Sequence, residues 1–143
     1  MVRREVLAKR LEQLNLSIEK INRYRYLTDE EFLADEIAQD VVEYNLFIAI
    51  NMIVDMATHI VVDNNMGRPQ KMADAFDILY REKLISKQQK DIFQKMVGFR
   101  NILSHEYLKI DKKIVFAIMK KHLDDFKNFI LMVNENFMPK QEL

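Results

Sequence analysis

Residues 97–107 read Val-Gly-Phe-Arg-Asn-Ile-Leu-Ser-His-Glu-Tyr and bring Arg100, Asn101, His105 and Tyr107 within eight positions. A helix exit is normally plain, and this one is not. An imidazole that ordinarily titrates near ~6.5 can take or give a proton at neutral pH. A guanidinium offers planar donors matched to phosphate oxygens. Geometry limits how the two cooperate. At ~100° per residue, an unbroken helix puts Arg100 and Tyr107 on one face and His105 about 140° from Arg100. Either the helix breaks between Leu103 and His105, or a second copy of the chain completes the cluster. A plainer account fits the same residues, because helix C-termini favour cations. Asn101 suits contact with a ligand or a helix cap. Tyr107 suits stacking, anchoring a loop, or accepting a modification.

A second polar feature interrupts the most apolar part of the chain. Tyr44, Asn51, Asp55, Thr58 and His59 fall within a strip roughly 100° wide on one helix. Asp55 and His59 stand one turn apart, a spacing that can hold a metal. No third ligand follows by spacing, and no His-Glu-x-x-His pattern occurs. A buried hydrogen-bonded pair is the preferred reading, since a polar group inside a bundle needs a partner. The strip can alternatively line a cleft. His122 lies beside core positions and reads as structural; neither a metal nor a cofactor is expected.

These residues must be positioned by helices. Leu7, Leu11, Leu14, Ile18 and Ile21 alternate spacings of four and three, which predicts an amphipathic helix over about 3–25. Thr28 and Glu31 have capping-box spacing. A short helix should start there and continue or bend near Asp35 into a long central one, about 36–64. Gly67 reads as a helix stop and Pro69 as a helix start. Met72, Phe76 and Leu79 then mark a short helix ending near Lys83. Ser86 caps the next helix and Asp111 the last, whose stripe runs Val115, Met119, Leu123, Phe126, Ile130, Val133 and Phe137. The sum is an all-α bundle of about five or six helices over 1–138, with 139–143 as a flexible tail.

Composition narrows the function. The chain has 143 residues, 49% hydrophobic and 31% charged, which supports one ordered domain. Two Gly and two Pro leave too few turns for a β-rich fold and too little glycine for a phosphate-cradling loop. The 22 basic residues are balanced by 22 acidic ones, so a nucleic acid would be met by a local groove and not by the whole surface. Arg3-Arg4, Arg23 with Arg25, Lys112-Lys113 and Lys120-Lys121 would form such a groove only if they converge beside the motif. The absence of Cys excludes disulfides, zinc ribbons and thiol catalysis. The charged start does not read as a signal peptide, and Leu46 to Met56 is too short to span a bilayer. A cytoplasmic protein without a membrane partner is expected.

The segment resembles the HEPN superfamily of helical-bundle proteins, most closely its HepT-like branch. That branch carries Arg followed by Asn, then His five positions after the Arg, then Tyr two further on. Arg100, Asn101, His105 and Tyr107 match in register. The similarity extends to Gly67, Pro69, Phe76 and Gly98-Phe99, and the helix order agrees over nearly the whole chain. Ser104 departs from the pattern, standing where the branch usually has an apolar residue. The resemblance implies a metal-independent endoribonuclease toxin that works as a two-fold homodimer with Arg100 and His105 at the shared cleft. It also implies a partner nucleotidyltransferase antitoxin that transfers AMP to Tyr107. RNA cleavage without a metal uses the 2′-hydroxyl as nucleophile and needs one base and one acid, which two His105 side chains would supply. Arg100 would neutralise the charge that builds on the phosphorane oxygens. The alternative is a non-catalytic HEPN module that binds substrate or partner for the nucleotidyltransferase.

Overall fold

The computed structural model describes residues 3–105 and 110–138, and these form seven α-helices and no strand. In chain order they are α1 (Arg4–Asn22), α2 (Asp29–Ala34), α3 (Glu36–Asp63), α4 (Asp74–Arg81), α5 (Lys87–His105), α6 (Lys112–Lys121) and α7 (Leu123–Phe137). The helix α3 packs against each of the other six and most extensively against α1. Its residues Leu46, Ala49, Ile50, Ile53, Met56, Ala57 and Ile60 are fully buried. Taken whole, α3 is long and apolar enough by length and composition to cross a bilayer, unlike its apolar middle considered alone. Half of that apolar window is buried against the rest of the fold.

Local chemistry sets most of the helix boundaries. Thr28 Oγ1 accepts the Glu31 amide at 3.2 Å while Glu31 Oε1 accepts the Thr28 amide at 3.0 Å, completing the capping box. The Thr28 backbone amide, followed by its hydroxyl, holds the Glu31 carboxyl below its usual range. The sign follows: this exposed cap contributes stability at neutral pH, and the contribution is lost as pH falls through the lowered folded value. Asp35 breaks the chain between α2 and α3 with extended backbone, φ −113° and ψ 94°, and its carboxylate caps α3 by accepting the Ala38 amide at 3.0 Å. Ser86 and Gln89 bond reciprocally ahead of α5. Asp111 Oδ1 accepts the Lys113 amide at 2.9 Å to start α6.

Three expectations need correction. Gly67 does not stop α3; Asn65 does, with φ 56° and the paired bonds Met66 N to Val61 O and Asn65 N to Val62 O. Asparagine tolerates the left-handed region because its short polar side chain bonds locally. Gly67 is needed further along, where φ is +151° and a Cβ would lie 3.2 Å from Ile78 Cδ1. Pro69 does not begin α4, because the Asp74 carboxylate first gathers the amides of Gln70 and Lys71 into a turn. Met72 consequently lies outside the helix and is exposed. The last helix is two: His122, with φ −119° and ψ 5°, ends α6 and starts α7, its Nδ1 2.8 Å from Asp125 Oδ2. That break accounts for seven helices where six are legible in the sequence. The tail 139–143 lies outside the described residues.

Three of the fully buried phenylalanine rings pack together in the core. Phe93 is 5.4 Å from Phe76 and meets Phe129 edge-on at 5.6 Å. Phe93→Ala should destabilise the fold by about 3–5 kcal/mol. Met72→Ala, at an exposed loop position, should stay within about 0.5 kcal/mol of the wild type. Urea unfolding followed by far-UV circular dichroism measures both.

Candidate functional site

Helix α5 runs unbroken through His105. The first of the two alternatives, a break between Leu103 and His105, is therefore not observed. The imidazole remains about 140° around the helix from Arg100. His105 is exposed at the end of the described part of α5, while Arg100 is half-buried against α3. Tyr107 lies outside the described residues.

The strip on α3 receives the motif. Arg100 Nε donates to Asn51 Oδ1 at 2.7 Å, and Nη1 donates to Asn101 Oδ1 at 3.2 Å. The guanidinium carbon lies 5.1 Å from the centroid of the Phe47 ring, where the ring's negative face attracts a cation. Asn101 thus acts as neighbour and acceptor to Arg100. Among the described residues no carboxylate lies within ion-pairing distance of Arg100, so its positive charge stays uncancelled by them.

Asp55 and His59 are placed differently from the expected buried pair. Both side chains are more than a third exposed, and His59 Nε2 is 3.8 Å from Asp55 Oδ1, too long for a hydrogen bond. The principal partner of Asp55 is Arg10 from α1, whose Nε bonds its Oδ2. The other ring nitrogen of His59 lies 3.9 Å from Asp63. The result is a solvated row of alternating charge beside the site. Among the described residues, no three metal-binding side chains come together.

Beside Arg100 is an open cavity of about 400 Å³ lined by Asp40, Glu43, Tyr44 and Phe47 of α3 and by Leu103 and Ser104 of α5. Phe47 is shared, with one side against Arg100 and part of its surface in the cavity. Lys112 at the start of α6 pairs with Glu43. The anticipated basic groove does not gather here as a set. Arg25 and Lys120 each bond the other's backbone carbonyl and tie the end of α1 to α6, a structural task.

Sequence reasoning singled out Arg100 but missed its two holders on α3. Asn51 belongs to the polar strip, and four residues before it Phe47 occupies the same side of the helix. That spacing was the available signal.

The chain matches the family described as Ribonuclease HepT-like over residues 14–133. It is 32% identical over 126 residues to the mRNA nuclease HepT of Shewanella oneidensis, covering 88% of this chain and 94% of that one. A solved structure of a tri-AMPylated Shewanella oneidensis HEPN toxin in complex with an MNT antitoxin superposes with a TM-score of 0.85 at 30% identity, over 94% of this chain and all of that one. The Bacillus subtilis protein YutE shares the fold, with a TM-score of 0.82 at 21% identity over 98% of this chain and 96% of that one.

Proposed function

The chain belongs to the HepT-like ribonuclease family, and from that footing we propose that it is a metal-independent endoribonuclease toxin of a toxin–antitoxin pair. Its substrate is RNA, met in the cytoplasm. Arg100 and His105 are the catalytic residues, Asn101 and Tyr107 support substrate binding, and a cognate nucleotidyltransferase antitoxin restrains the protein by transferring AMP to Tyr107. The Shewanella relatives support this reading: one is an mRNA nuclease, and the HEPN toxin carries AMP in complex with its MNT antitoxin.

The observation that carries the mechanism is the Arg100 guanidinium, fixed by Asn51, Asn101 and Phe47 and uncancelled by any described carboxylate. A planar, permanently charged donor held in that way suits the phosphorane oxygens, where negative charge grows as the 2′-oxygen attacks. One His105 takes the 2′-hydroxyl proton, the 2′-oxygen bonds phosphorus, and the P–O5′ bond breaks. A second His105 gives its proton to the departing 5′-oxygen. A single chain offers one such imidazole, about 140° from its own Arg100. The active form is therefore a two-fold homodimer whose copies share the cleft. The exposed face of α3 supports this arrangement. Ile37 (72% exposed) and Tyr44 (64% exposed) lie fourteen and seven positions before Asn51, forming one apolar line toward the site.

Three outcomes follow. Induced expression of the wild type in a bacterial host should arrest growth, and His105→Ala should relieve it with unchanged helix content. Equal toxicity of the two, or none from either, would favour a binding module. Sedimentation at low micromolar concentration should give twice the 17.1 kDa chain mass; a species of chain mass alone would overturn the shared cleft. With the partner and ATP, the wild type should gain mass in steps of about 329 Da, one AMP each. Tyr107→Phe should gain none and remain toxic when the partner is co-expressed. Modification of the Phe variant would move the switch elsewhere.

A further inference from the structure

The two arginines that reach the polar strip of α3 are held in opposite ways. Arg10 from α1 meets the carboxylate of Asp55, which offsets its charge. Arg100 from α5, one helical turn earlier on the strip, meets the amide of Asn51. Asparagine and aspartate have nearly the same shape and offer the same acceptor oxygen, and they differ by one negative charge. Here the neutral one faces the motif arginine. The second hydrogen bond to Arg100 also comes from an amide, Asn101, and the third contact is the Phe47 ring. A guanidinium carries five N–H donors. Among the described residues, Asn51 takes the one on Nε and Asn101 one on Nη1, which leaves both hydrogens of Nη2 and one of Nη1. With Nε occupied, a phosphate must be met end-on, through the two terminal nitrogens.

We propose that Asn51 is a positioning residue for RNA cleavage: its amide oxygen fixes the plane of the Arg100 guanidinium through Nε while leaving the full positive charge for the phosphorane. The inference rests on the reading that Arg100 faces the scissile phosphate. Asn51 forms and breaks no bond and moves no proton. Its contribution is orientation without neutralisation. An arginine side chain free to sample its rotamers would meet the phosphate in many poses, few of them aligned with both oxygens. An arginine held by a carboxylate would be aligned, but already half-paired before RNA arrives.

The test is steady-state cleavage of a short RNA by the purified full chain, with kcat and KM read separately. Asn51→Asp keeps the acceptor in place and adds a charge. It should lower kcat about 100-fold, the order seen when one transition-state donor is lost, and should raise KM, with the thermal midpoint at or above that of the wild type. Asn51→Ala removes the acceptor without adding charge and should lower kcat about 10-fold with KM nearly unchanged. A residue that only supported the fold would give the reverse pattern, with Asp tolerated and any Ala defect tracking the loss of midpoint. Wild-type kcat in either folded variant overturns the proposal. Arg100→Ala separates the two levels of the argument. If it cleaves RNA as well as the wild type, the reading of Arg100 at the phosphate fails. If it is inactive while both Asn51 variants are not impaired, only the role of Asn51 fails.

Discussion

One helix must pack against all six others and still carry the polar groups on which the site depends. Apolar packing alone would leave the register of α3 against its neighbours loosely defined, because hydrophobic contacts tolerate small slides. Polar groups on a buried helix do not, since each must find its partner. Gln39 Nε2 bonds the carbonyls of Phe32 and Leu33 at 2.9 and 3.1 Å and fixes α2. Glu43 holds Lys112 of α6, Asn51 holds Arg100 of α5, and Asp55 holds Arg10 of α1. Four neighbours are thus keyed to α3 at four points along its length. The site arginine is one of those keys, so the geometry of the motif and the register of the bundle are the same constraint.

Electrostatics along this helix is local, as the balanced composition requires. Two of the acidic groups on α3 are offset, Glu43 by Lys112 and Asp55 by Arg10. Against that background an arginine held by amides and a ring stands out as a concentrated positive point. An extended anion such as RNA would gain little from the surface at large, and its attraction would fall within about 10 Å of such a point at ordinary ionic strength. Asp40, which lines the cavity beside Arg100, would add a bias by repelling phosphate a few residues along.

The boundaries marked by side-chain caps were legible in the sequence. Thr28, Ser86 and Asp111 each act as their type and spacing suggest, because a cap is a contact within three or four residues; Asp35 was legible only as a bend, not as the cap it is. The break at His122 was not. Met119, Leu123 and Phe126 keep the spacing of a continuous helix, so the apolar period passes through the kink without changing phase. Asn65 was overshadowed by Gly67, since a backbone with positive φ usually goes to glycine. The motif residues were readable as a cluster by type, but their partners were not. Asn51 and Arg100 are 49 positions apart, and periodicity shows which face of a helix is polar without showing which other helix lies against it. The pairing of Asp55 with Arg10 was hidden for the same reason, and a nearer candidate, His59, stood in its place.

The central position of α3 in the packing has a consequence for how the protein is made. Of the described helices, α1 and α2 precede it and the other four follow. When α3 leaves the ribosome, its 28 residues have one large partner, and the rest of its apolar surface faces water. The end of α5 arrives roughly forty residues later, an interval of about 2–8 s at ordinary elongation rates. During that interval the nascent chain displays a segment that meets the length and hydropathy requirements of a membrane span. Slower translation over residues 64–137 would lengthen the time for which that apolar surface faces water before α5, α6 and α7 can cover it.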